Sequence, residues 1–596
     1  MRFPALSEFL SYLESIGELK RISIPVDSYL EVTEISMRAL RENRPALLFE
    51  NIKGAKYPLA INIYASERRI ELALGRHPQE IGEEIVTFIE RLSLQDFSAI
   101  WENRNLFKSL MFKRPGIFAR NISQEVVEEP DLDKLPVITC WPKDGGRFIT
   151  QGLVFTYNPI NNVRNVGLYR LHVYDKNTTG MHWQIQKGGG FHFYHAEILN
   201  KPLEVAVALG TEPAVLFAGI SALPEGIDEL ILSSIISGRK IPTVKGKSIS
   251  IEVPKGAEFI LEGIVCPGER RNEGPFGDHF GYYSNRSPFP VFHIKKITHR
   301  KNPVYPATVV GIPPMEDKFM GDAVQWILNP LIKLLHKEVY DIWAYYEAGF
   351  HNLLVISVEN RYRKEAIKTA LGLLGTGQLS LTKVIILVSK TVDPRNWNAV
   401  LREIHDNFDP TFDFLLIPGM PLDTLDFTSF KKEIGSKMIL DATRENHRFS
   451  KNSKFSTSPD ISKVMNTIEK FKKTDKRIEE VNLIEKTLLI VKVNRNGREI
   501  LEKMVKLKDL QSIKVIAVVS NDIDINNQEN YIWGIFTRFD CERDLIFAER
   551  KFQGASVVYK GTIGIDATLK PGYPDTVKMT EKIKKLVDNK WDKYWK

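Results

Sequence analysis

The sequence predicts a multidomain α/β protein. We expect an N-terminal α/β domain, a central antiparallel β split barrel, and a C-terminal doubly wound α/β domain that is present twice. The chain has 596 residues, about four ordinary domain lengths. Its 43% hydrophobic and 26% charged residues are typical of a globular protein with a sizeable core. The third observation is an internal repeat in the last third of the chain.

The N-terminal part alternates helical and strand patterns. Leu6, Leu10 and Leu13 recur at helical spacing, and Gly17 is a natural helix end. KRISIPV, ALLFENI and LAINIY are strand-like, and EVTEISMRALRE is helical. We therefore place an α/β domain at residues 1–125. The proline- and glycine-rich stretch at 125–146 is typical of a linker.

The central part changes to short strands. GLVFTYN, NVGLYRLHVY, PLEVAVALG, SISIEV and VFHIKKIT are strand-length runs separated by proline and glycine, with one helix at DELILSSIISG. This pattern predicts an antiparallel split barrel at residues 126–310. A connecting helix follows at 311–345, around AVQWILNPLIKLLHKEV, with Pro330 as a kink or break.

The repeat pairs two α/β segments, whose KVI runs keep one constant offset and are each followed by a related signature. KVIILVSK begins at Lys383 and KVIAVVSN at Lys514, and MILDATRE and IGIDATLK follow them. Strand–helix order repeated in this way indicates duplication, with copies at residues 346–450 and 480–575. Residues 576–596 form an amphipathic helix, either a solvated basic helix or a contact with a partner or a membrane surface.

Charge and cysteine content exclude several classes of protein. Lysine and arginine number 82 against 74 acidic residues, and a net charge of +8 is too dilute for a nucleic-acid-binding surface. Three widely spaced cysteines, Cys140, Cys266 and Cys541, predict neither a disulfide framework nor a thiolate zinc site. We expect a cytoplasmic protein, with a peripheral contact at the inner membrane face as an open alternative.

The densest polar cluster is GERRNEGPFGDHFGYY. Glu273 and Asp278 bracket its G-P-F-G turn, which suits a positioned proton donor, although a turn with solvated charges fits equally well. In the strand NVGLYR, Asn165 and Arg170 are five residues apart and should face opposite sides of a sheet. Arg170 suits bidentate binding of a carboxylate, or else a structural salt bridge.

NVGLYR, PEGIDE, EGPFGD, PPMED and the opening FPALSEFLSYLESIGELKRI resemble the UbiD family of reversible decarboxylases. The resemblance implies prenylated FMN as cofactor, supplied by a separate flavin prenyltransferase. It also implies a divalent metal, Mn²⁺ or Mg²⁺, and a potassium ion near the phosphate. A homo-oligomer, dimer or hexamer, is expected.

The resemblance assigns roles residue by residue. Glu273 would donate the proton to the carbon that loses CO2, Arg170 would orient the carboxylate, and Asp278 would complete the network. The implied metal ligands are Asn165, Gln186 and Glu229. The implied cofactor-binding residues are Tyr169, Arg170, Gln186, Lys187, Gly219, Ile220, Ser221, Glu229 and Lys437. Because the second copy has Thr562 where the first has Lys437, we expect the first copy to pack on the active site.

One position departs from the family pattern. Gln186 stands where the family has a metal-binding histidine. Its amide oxygen would complete an all-oxygen set that favours Mg²⁺ or Mn²⁺. Alternatively His182, His192 or His195 takes its place, or cofactor binding is weakened. The following Gly188–Gly190 run suggests a phosphate loop, but a flexible turn is the better interpretation because no Lys-Ser/Thr follows.

The resemblance predicts non-oxidative decarboxylation of an aromatic carboxylic acid. We favour a quinone precursor, either a dihydroxynaphthoate of a menaquinone route or a 4-hydroxy-3-polyprenylbenzoate of a ubiquinone route. Other family members act on phenolic or cinnamic-type acids, and no motif decides among them. A non-catalytic scaffold or assembly subunit that has lost cofactor binding is the alternative.

Overall fold

The computed structural model describes residues 3–93, 122–184, 187–444 and 461–596. The described chain divides into two compact units. Unit 1 comprises Met1–Leu331 together with Asp575–Lys596, and unit 2 comprises Ile332–Pro574. The multidomain α/β class predicted from the sequence is confirmed.

The elements of unit 1 follow one another in mixed α/β order. Its helices are α1 Leu6–Ser15, α2 Glu31–Arg41, α3 Glu67–Leu74, α4 Pro78–Ser93, α5 Gly188–Ile198, α6 Pro213–Ile220, α7 Glu229–Ser237 and α8 Glu316–Leu335. Its strands are β1 Leu19–Ile22, β2 Ala46–Phe49, β3 Leu59–Ile61, β4 Val126–Glu128, β5 Phe148–Tyr157, β6 Arg164–His172, β7 Thr178–Gly180, β8 Leu203–Leu209, β9 Thr243–Lys245, β10 Glu252–Pro254, β11 Phe259–Glu273, β12 Phe276–Gly277, β13 Tyr283–Ser284, β14 Ser287–His299 and β15 Tyr305–Pro306.

A seven-stranded antiparallel sheet forms the centre of unit 1. Its order is β4-β14-β11-β8-β5-β6, and β7 pairs with β14. Strands β5 and β8 are buried along almost their whole length, so both faces of the sheet are covered there. A smaller sheet of order β1-β2-β3-β15 packs the N-terminal elements, with Leu6, Phe9 and Leu13 of α1 buried as predicted.

Two local predictions in unit 1 are wrong. Residues 125–146 are not a free linker, because Leu135, Ile138 and Trp141 are buried and β4 joins the central sheet. The Gly188–Gly190 run is not a flexible turn, since these glycines form the first turn of α5. Helix propensity is low for glycine, but close neighbours leave no room for larger side chains there.

The C-terminal segment returns to unit 1 and packs against its helices. After Asp575 the chain forms α15 Glu581–Asp588 and α16 Trp591–Trp595. Asp588 pairs with Arg38 of α2, and Lys590 Nζ donates to Glu31 Oε1 at 2.7 Å. The side of this segment that carries Val587 and Tyr594 is therefore covered within the chain itself.

Unit 2 contains two five-stranded sheets with the same arrangement. The first has strands β16 Val339–Ala344, β17 Leu354–Val358, β18 Val384–Ser389, β19 Phe414–Pro421 and β20 Ile434–Asp441, in the order β16-β17-β18-β20-β19. The second has β21 Ile478–Ile484, β22 Leu488–Val493, β23 Val515–Ser520, β24 Leu545–Gln553 and β25 Ser556–Ala567, in the order β21-β22-β23-β25-β24. Each has a parallel centre and an antiparallel strand at either edge.

The helices of unit 2 lie between these strands. They are α9 Glu365–Leu373, α10 Trp397–Asn407, α11 Pro410–Asp413, α12 Ile461–Thr474, α13 Gly497–Met504 and α14 Gln528–Phe536. Across both units, none of the helices in the described ranges has the length and apolar character that crossing a bilayer requires.

Candidate active site

Strand β6 supplies side chains to two polar clusters on opposite faces of the central sheet. Because side chains alternate along a strand, Asn165 and Tyr169 share one face and Arg170 takes the other. This is the separation that the sequence predicts for Asn165 and Arg170.

Arg170 is the centre of the first cluster. Its Nε donates to Glu273 Oε1 at 2.9 Å, its Nη1 to Asp278 Oδ2, and its Nη2 to Ser284 Oγ at 3.2 Å. The guanidinium lies over the ring of Phe276. The structure thus brings together the three residues that the family resemblance assigns to catalysis.

Glu273 has a second partner that the sequence does not indicate. Its Oε1 lies 2.7 Å from Nδ1 of His182, and both side chains are buried. Glu273 Oε2 and His182 Nε2 are also buried, and neither has a hydrogen-bond partner among the described residues. The cluster therefore leaves one carboxylate oxygen and one ring nitrogen available for chemistry.

The charges of this cluster determine the resting protonation of its carboxyls. Burial alone would raise the pKa of Glu273, but the hydrogen bonds from His182 and Arg170 together with the charge of Arg170 outweigh burial and hold that pKa well below its usual range. Burial likewise opposes ionisation of Asp278, yet Arg170 and His279 keep its pKa low. Both carboxyls are ionised at neutral pH, and the Arg170 guanidinium binds them together.

The loop between Glu273 and Asp278 is held from outside by Asp144 and Gly145. Asp144 Oδ1 accepts from the Gly277 N–H at 2.8 Å, and the Gly145 N–H donates to the Pro275 carbonyl at 2.7 Å. A Cβ on Gly145 would meet the Gly274 carbonyl oxygen at 2.2 Å, so this contact requires glycine. The two carboxylates are thus fixed by a neighbouring segment as well as by Arg170.

The second cluster lies where β6, α5 and α7 meet. Glu229, at the start of α7, accepts from the Val166 N–H at 2.8 Å. In the amide orientation that satisfies its neighbours, the Asn165 oxygen accepts from the N–H groups of Val166 and Gly189 at 3.3 Å each. Tyr169 Oη accepts from the same Gly189 N–H at 3.2 Å. Asn165, Tyr169 and Glu229 therefore converge on the first turn of α5.

This second cluster has the features of a site for a charged group. Burial raises the pKa of Glu229 to about 7, because the ionised carboxylate is poorly solvated there. An adjacent cation would offset this loss of solvation. The Nε1–H of Trp183 is buried beside Gly189 without a partner among the described residues, so an acceptor is missing there. Both observations fit a metal ion together with an anionic ligand.

The remaining predicted ligands are distributed around this cluster. Lys187 is the N-cap of α5, Gly219 and Ile220 end α6, and Ser221 caps α6 with its hydroxyl donating to the Phe217 carbonyl. The prediction for Gln186 falls outside the described residues. In the described part of the chain, no three His, Cys, Asp or Glu side chains are grouped to hold a metal.

The three histidines that could substitute for Gln186 use a ring nitrogen elsewhere. His182 contacts Glu273, His192 Nδ1 lies 2.9 Å from Thr156 Oγ1, and His195 Nδ1 lies 3.3 Å from Asn158 Oδ1. None of these contacts involves the second cluster.

Lys437, the last of the implied cofactor-binding residues and a candidate to contact the cofactor phosphate, has a different environment. Lys437 belongs to unit 2, is fully buried, and donates to the carbonyls of Ser380 and Thr382 at 2.7 and 2.6 Å. Burial lowers the pKa of its ammonium to about 7. Its contacts are structural and give no support to a phosphate contact.

Comparison with known domain families identifies the chain. The N-terminal domain of 3-octaprenyl-4-hydroxybenzoate carboxy-lyase matches residues 10–89, and the Rift-related domain matches 117–313. The C-terminal domain matches residues 318–442 and 467–567. The chain belongs to the UbiD family. It is therefore a carboxy-lyase, and the resemblance inferred from the motifs is confirmed.

Relatives match this UbiD protein over much of its length. An uncharacterised protein of Archaeoglobus fulgidus is 41% identical over 447 residues, 75% of this chain and 92% of the relative. A Chlamydia pneumoniae protein, named as a subunit of 4-hydroxybenzoate decarboxylase, is 33% identical over 596 residues, 99% of this chain and 98% of the relative.

Solved UbiD-class structures share its fold. The closed form of vanillic acid decarboxylase from Sedimentibacter hydroxybenzoicus has a TM-score of 0.68 and 27% identity, covering 80% of this chain and 99% of that one. The Pelotomaculum thermopropionicum enzyme HmfF in complex with FMN has a TM-score of 0.61 and 26% identity, covering 75% and 97%.

Proposed function

We propose that this UbiD protein is a prenylated-FMN-dependent decarboxylase of an aromatic carboxylic acid. The buried Arg170–Glu273–Asp278 network carries the proposal, because a positioned cation and a carboxylate that can take up and deliver a proton are what replacement of CO2 by hydrogen requires. Evidence from relatives is consistent with it, since HmfF has been solved with prenylated FMN at 25% identity. A scaffold that has lost activity has no need for this buried network.

Each residue of the network has a proposed task. Arg170 binds the substrate carboxylate, since its guanidinium is a planar bidentate donor. Glu273 delivers the proton to the carbon that loses CO2. Asp278 holds Arg170 in place from the other side. The cofactor, when bound, supplies the electron sink for the carbanion.

The second cluster is the proposed cofactor and metal site. Asn165 and Glu229, with Gln186 as third ligand, would hold Mn²⁺ or Mg²⁺ through oxygen atoms, as hard cations prefer. The Trp183 Nε1–H, which lacks an acceptor among the described residues, would face the cofactor's anionic part together with Lys187 and Tyr169. Gly219, Ile220 and Ser221 would lie against the flavin. A potassium ion belongs to the same proposal. Lys437 is left out of it, because its ammonium already donates to the carbonyls of Ser380 and Thr382.

The domain architecture follows the same proposal. The proposed domains are residues 1–125, 126–310, 346–450 and 480–575, with a connecting segment at 311–345 and a terminal segment at 576–596. The single helices predicted for these two segments are too long, because α8 ends at Leu335 before β16 and the terminal segment forms α15 and α16. The central sheet is interpreted as a split barrel. The equal strand order of the two sheets in unit 2 supports duplication of the C-terminal domain. A cytoplasmic homo-oligomer loaded by a flavin prenyltransferase is the proposed working form.

The proposed substrate is an aromatic acid, and two groups of acids are candidates. Relatives named for 4-hydroxybenzoate and vanillic acid favour a phenolic acid. The quinone precursors, a dihydroxynaphthoate or a 4-hydroxy-3-polyprenylbenzoate, remain the second group.

A variant of Glu273, the proposed proton donor, tests the function. The full chain is co-expressed with a flavin prenyltransferase, and CO2 release is measured with both groups of acids. Wild type should release CO2 from at least one acid. Glu273→Gln should lose at least a thousandfold in rate and keep its flavin absorbance, because the amide cannot donate a proton to carbon. Unchanged turnover in Glu273→Gln would disprove the role of Glu273 as proton donor. Bound flavin in wild type without CO2 release from any of the tested substrates would disprove the proposed function.

A further inference from the structure

The contact between His182 and Glu273 joins two buried groups that can share one proton. The Nδ1–Oε1 distance of 2.7 Å is that of a hydrogen bond to a charged acceptor. The imidazole packs against Phe289 with ring centroids 4.3 Å apart and the rings tilted by 34°, which restricts its orientation. Oε1 also accepts from Arg170 at 2.9 Å, so the bond is held on both sides.

The charges that face His182 come from three elements. Arg170 of β6 is positive, and Glu273 of β11 and Asp278, which follows β12, are negative. With a neutral imidazole the four groups have one excess negative charge, and one added proton neutralises them. Burial and Arg170 lower the pKa of His182, so these four groups by themselves do not hold that proton at neutral pH.

The reaction itself needs a proton in this place. In decarboxylation of a carboxylate the C–C bond breaks, its electron pair stays on the ring carbon, and a proton must be added to that carbon. Glu273 is ionised at neutral pH, so it must first acquire the proton that it delivers. A bound substrate carboxylate adds a negative charge beside Arg170, which favours uptake of one proton by the cluster.

We propose that His182 is a positioning residue that acts through Glu273, storing the proton that this glutamate delivers to carbon. The proton comes from solvent to the imidazole, passes from Nδ1 to Oε1, and leaves on the product. His182 returns to its neutral form, and solvent supplies the next proton. The proposal rests on the role assigned to Glu273 above.

A variant that keeps the hydrogen bond to Glu273 but has no titratable group at position 182 tests the proposal. In His182→Asn the side-chain amide takes the place of Nδ1–H but cannot store a proton. We expect the falling, alkaline limb of kcat to move at least one pH unit lower, with at least a tenfold loss at pH 8 and less than a threefold loss at pH 5.5. His299→Asn, at another buried histidine of the same sheet, should leave the limb in place.

The shape of the pH profile of kcat distinguishes proton storage by His182 from a role in packing alone. A uniform loss of rate at every pH in His182→Asn, with the limb unmoved, would overturn the proposal. His182→Phe removes both the bond and the proton, and it should shift the limb as far as the asparagine variant does.

A second readout does not depend on turnover. In the full chain labelled with ¹⁵N-histidine, the signal absent from His182→Asn reports His182, and we expect a neutral ring with its proton on Nδ1 at pH 7. A ring that has its proton on Nε2 alone would overturn the proposal even if no substrate were found. Failure of wild type to release CO2, with the expected tautomer present, would count against the proposed function alone.

Discussion

At the scale of single residues, Asp144 connects two segments through three backbone hydrogen bonds. Its Oδ1 accepts from Gly277, and its Oδ2 accepts from Trp141 at 2.8 Å and Cys140 at 3.1 Å. Gly277 directly precedes Asp278, so the carboxylate fixes the loop that presents the network. Both carboxylate oxygens of Asp144 are needed, since each accepts hydrogen bonds from the backbone N–H groups of a different segment.

Asp144→Asn should therefore destabilise the protein and impair catalysis. The amide NH2 would face a backbone N–H, leaving a buried donor without an acceptor at a cost of about 1–3 kcal/mol. We expect a lower midpoint of urea unfolding and a kcat reduced at least tenfold. Asp133→Asn, which removes an exposed pair with Arg147, is the control and should change the free energy of unfolding by less than ~1 kcal/mol. Equal behaviour of the two variants would contradict the assignment.

Glu316 gives a second residue-scale prediction, on pH. This side chain is fully buried, its Oε1 accepts from the Tyr64 N–H at 2.8 Å, and burial raises its pKa to about 7. Between the unfolded pKa and about 7, the folded state binds more protons than the unfolded state. Its contribution to the free energy of unfolding is therefore present at low pH and is lost as pH rises through this window.

Glu316→Gln should flatten this pH dependence. The glutamine oxygen can keep the hydrogen bond from the Tyr64 N–H without a charge. The free energy of unfolding of the variant minus that of wild type should therefore be larger at pH 8 than at pH 5. The difference is at most about 3 kcal/mol. Urea unfolding of both proteins at the two pH values measures it. Glu71→Gln, at an exposed position of α3, should give no such difference.

Residue-scale prediction from the sequence succeeds where a motif carries the residues. Arg170, Glu273 and Asp278 are named by NVGLYR and EGPFGD, and the structure brings them together. The sequence suggests His182 only as a substitute metal ligand. Its contact with Glu273 joins residues 91 positions apart in the sequence, which no local pattern encodes.

At the scale of elements, the segment after unit 2 forms a short antiparallel contact with the network loop. The Tyr283 N–H donates to the Asp575 carbonyl at 3.0 Å, and the Val577 N–H donates to the Gly281 carbonyl at 2.9 Å. Thr576 lies opposite Tyr282 in the same pairing. The end of the chain therefore supports the loop that contains Asp278.

Val577→Pro should weaken this support. Proline has no N–H, so the Gly281 carbonyl loses its partner at a cost of about 1–2 kcal/mol. We expect a lower unfolding midpoint and a kcat reduced severalfold, with flavin content preserved. Val577→Ala keeps the N–H and serves as the matched control for the lost side chain. If alanine and proline reduce kcat equally, the hydrogen bond has no role.

Element prediction depends on how local the determining interactions are. The helix predicted at DELILSSIISG is α7, because its apolar spacing and the Asp228 cap are both local signals. At the glycine run that starts α5, the sequence predicts a turn where the structure has a helix. The prediction fails because the helical form depends on close contacts with Asn165 and Trp183. Those contacts come from other segments and have no local signature.

At the scale of the whole molecule, the two sheets of unit 2 share buried polar contacts. Lys383, which precedes β18 of the first sheet, donates to Asp426 at 2.8 Å and to the Phe539 carbonyl beside the second sheet at 3.0 Å. Ser436 of β20 donates to Asp540 at 2.8 Å. The Lys383–Phe539 contact has a counterpart in the other half, where Lys514 Nζ donates to the Phe408 carbonyl at 2.8 Å. The sequence repeat predicts two similar halves, but it does not predict that they join through these residues.

Lys383→Met should therefore destabilise unit 2 as a whole. Lys383 and Asp426 are both fully buried, so removing the ammonium leaves an uncompensated charge at a cost of about 3–5 kcal/mol. Lys383→Met combined with Asp426→Asn should recover much of this loss, because the amide removes the charge and keeps an oxygen for the Thr428 N–H. Lys390→Met, at an exposed pair with Glu359, should cost less than ~1 kcal/mol. Urea unfolding should show both sheets melting in one transition, whereas a variant that loses the first sheet alone would show that the two sheets fold independently.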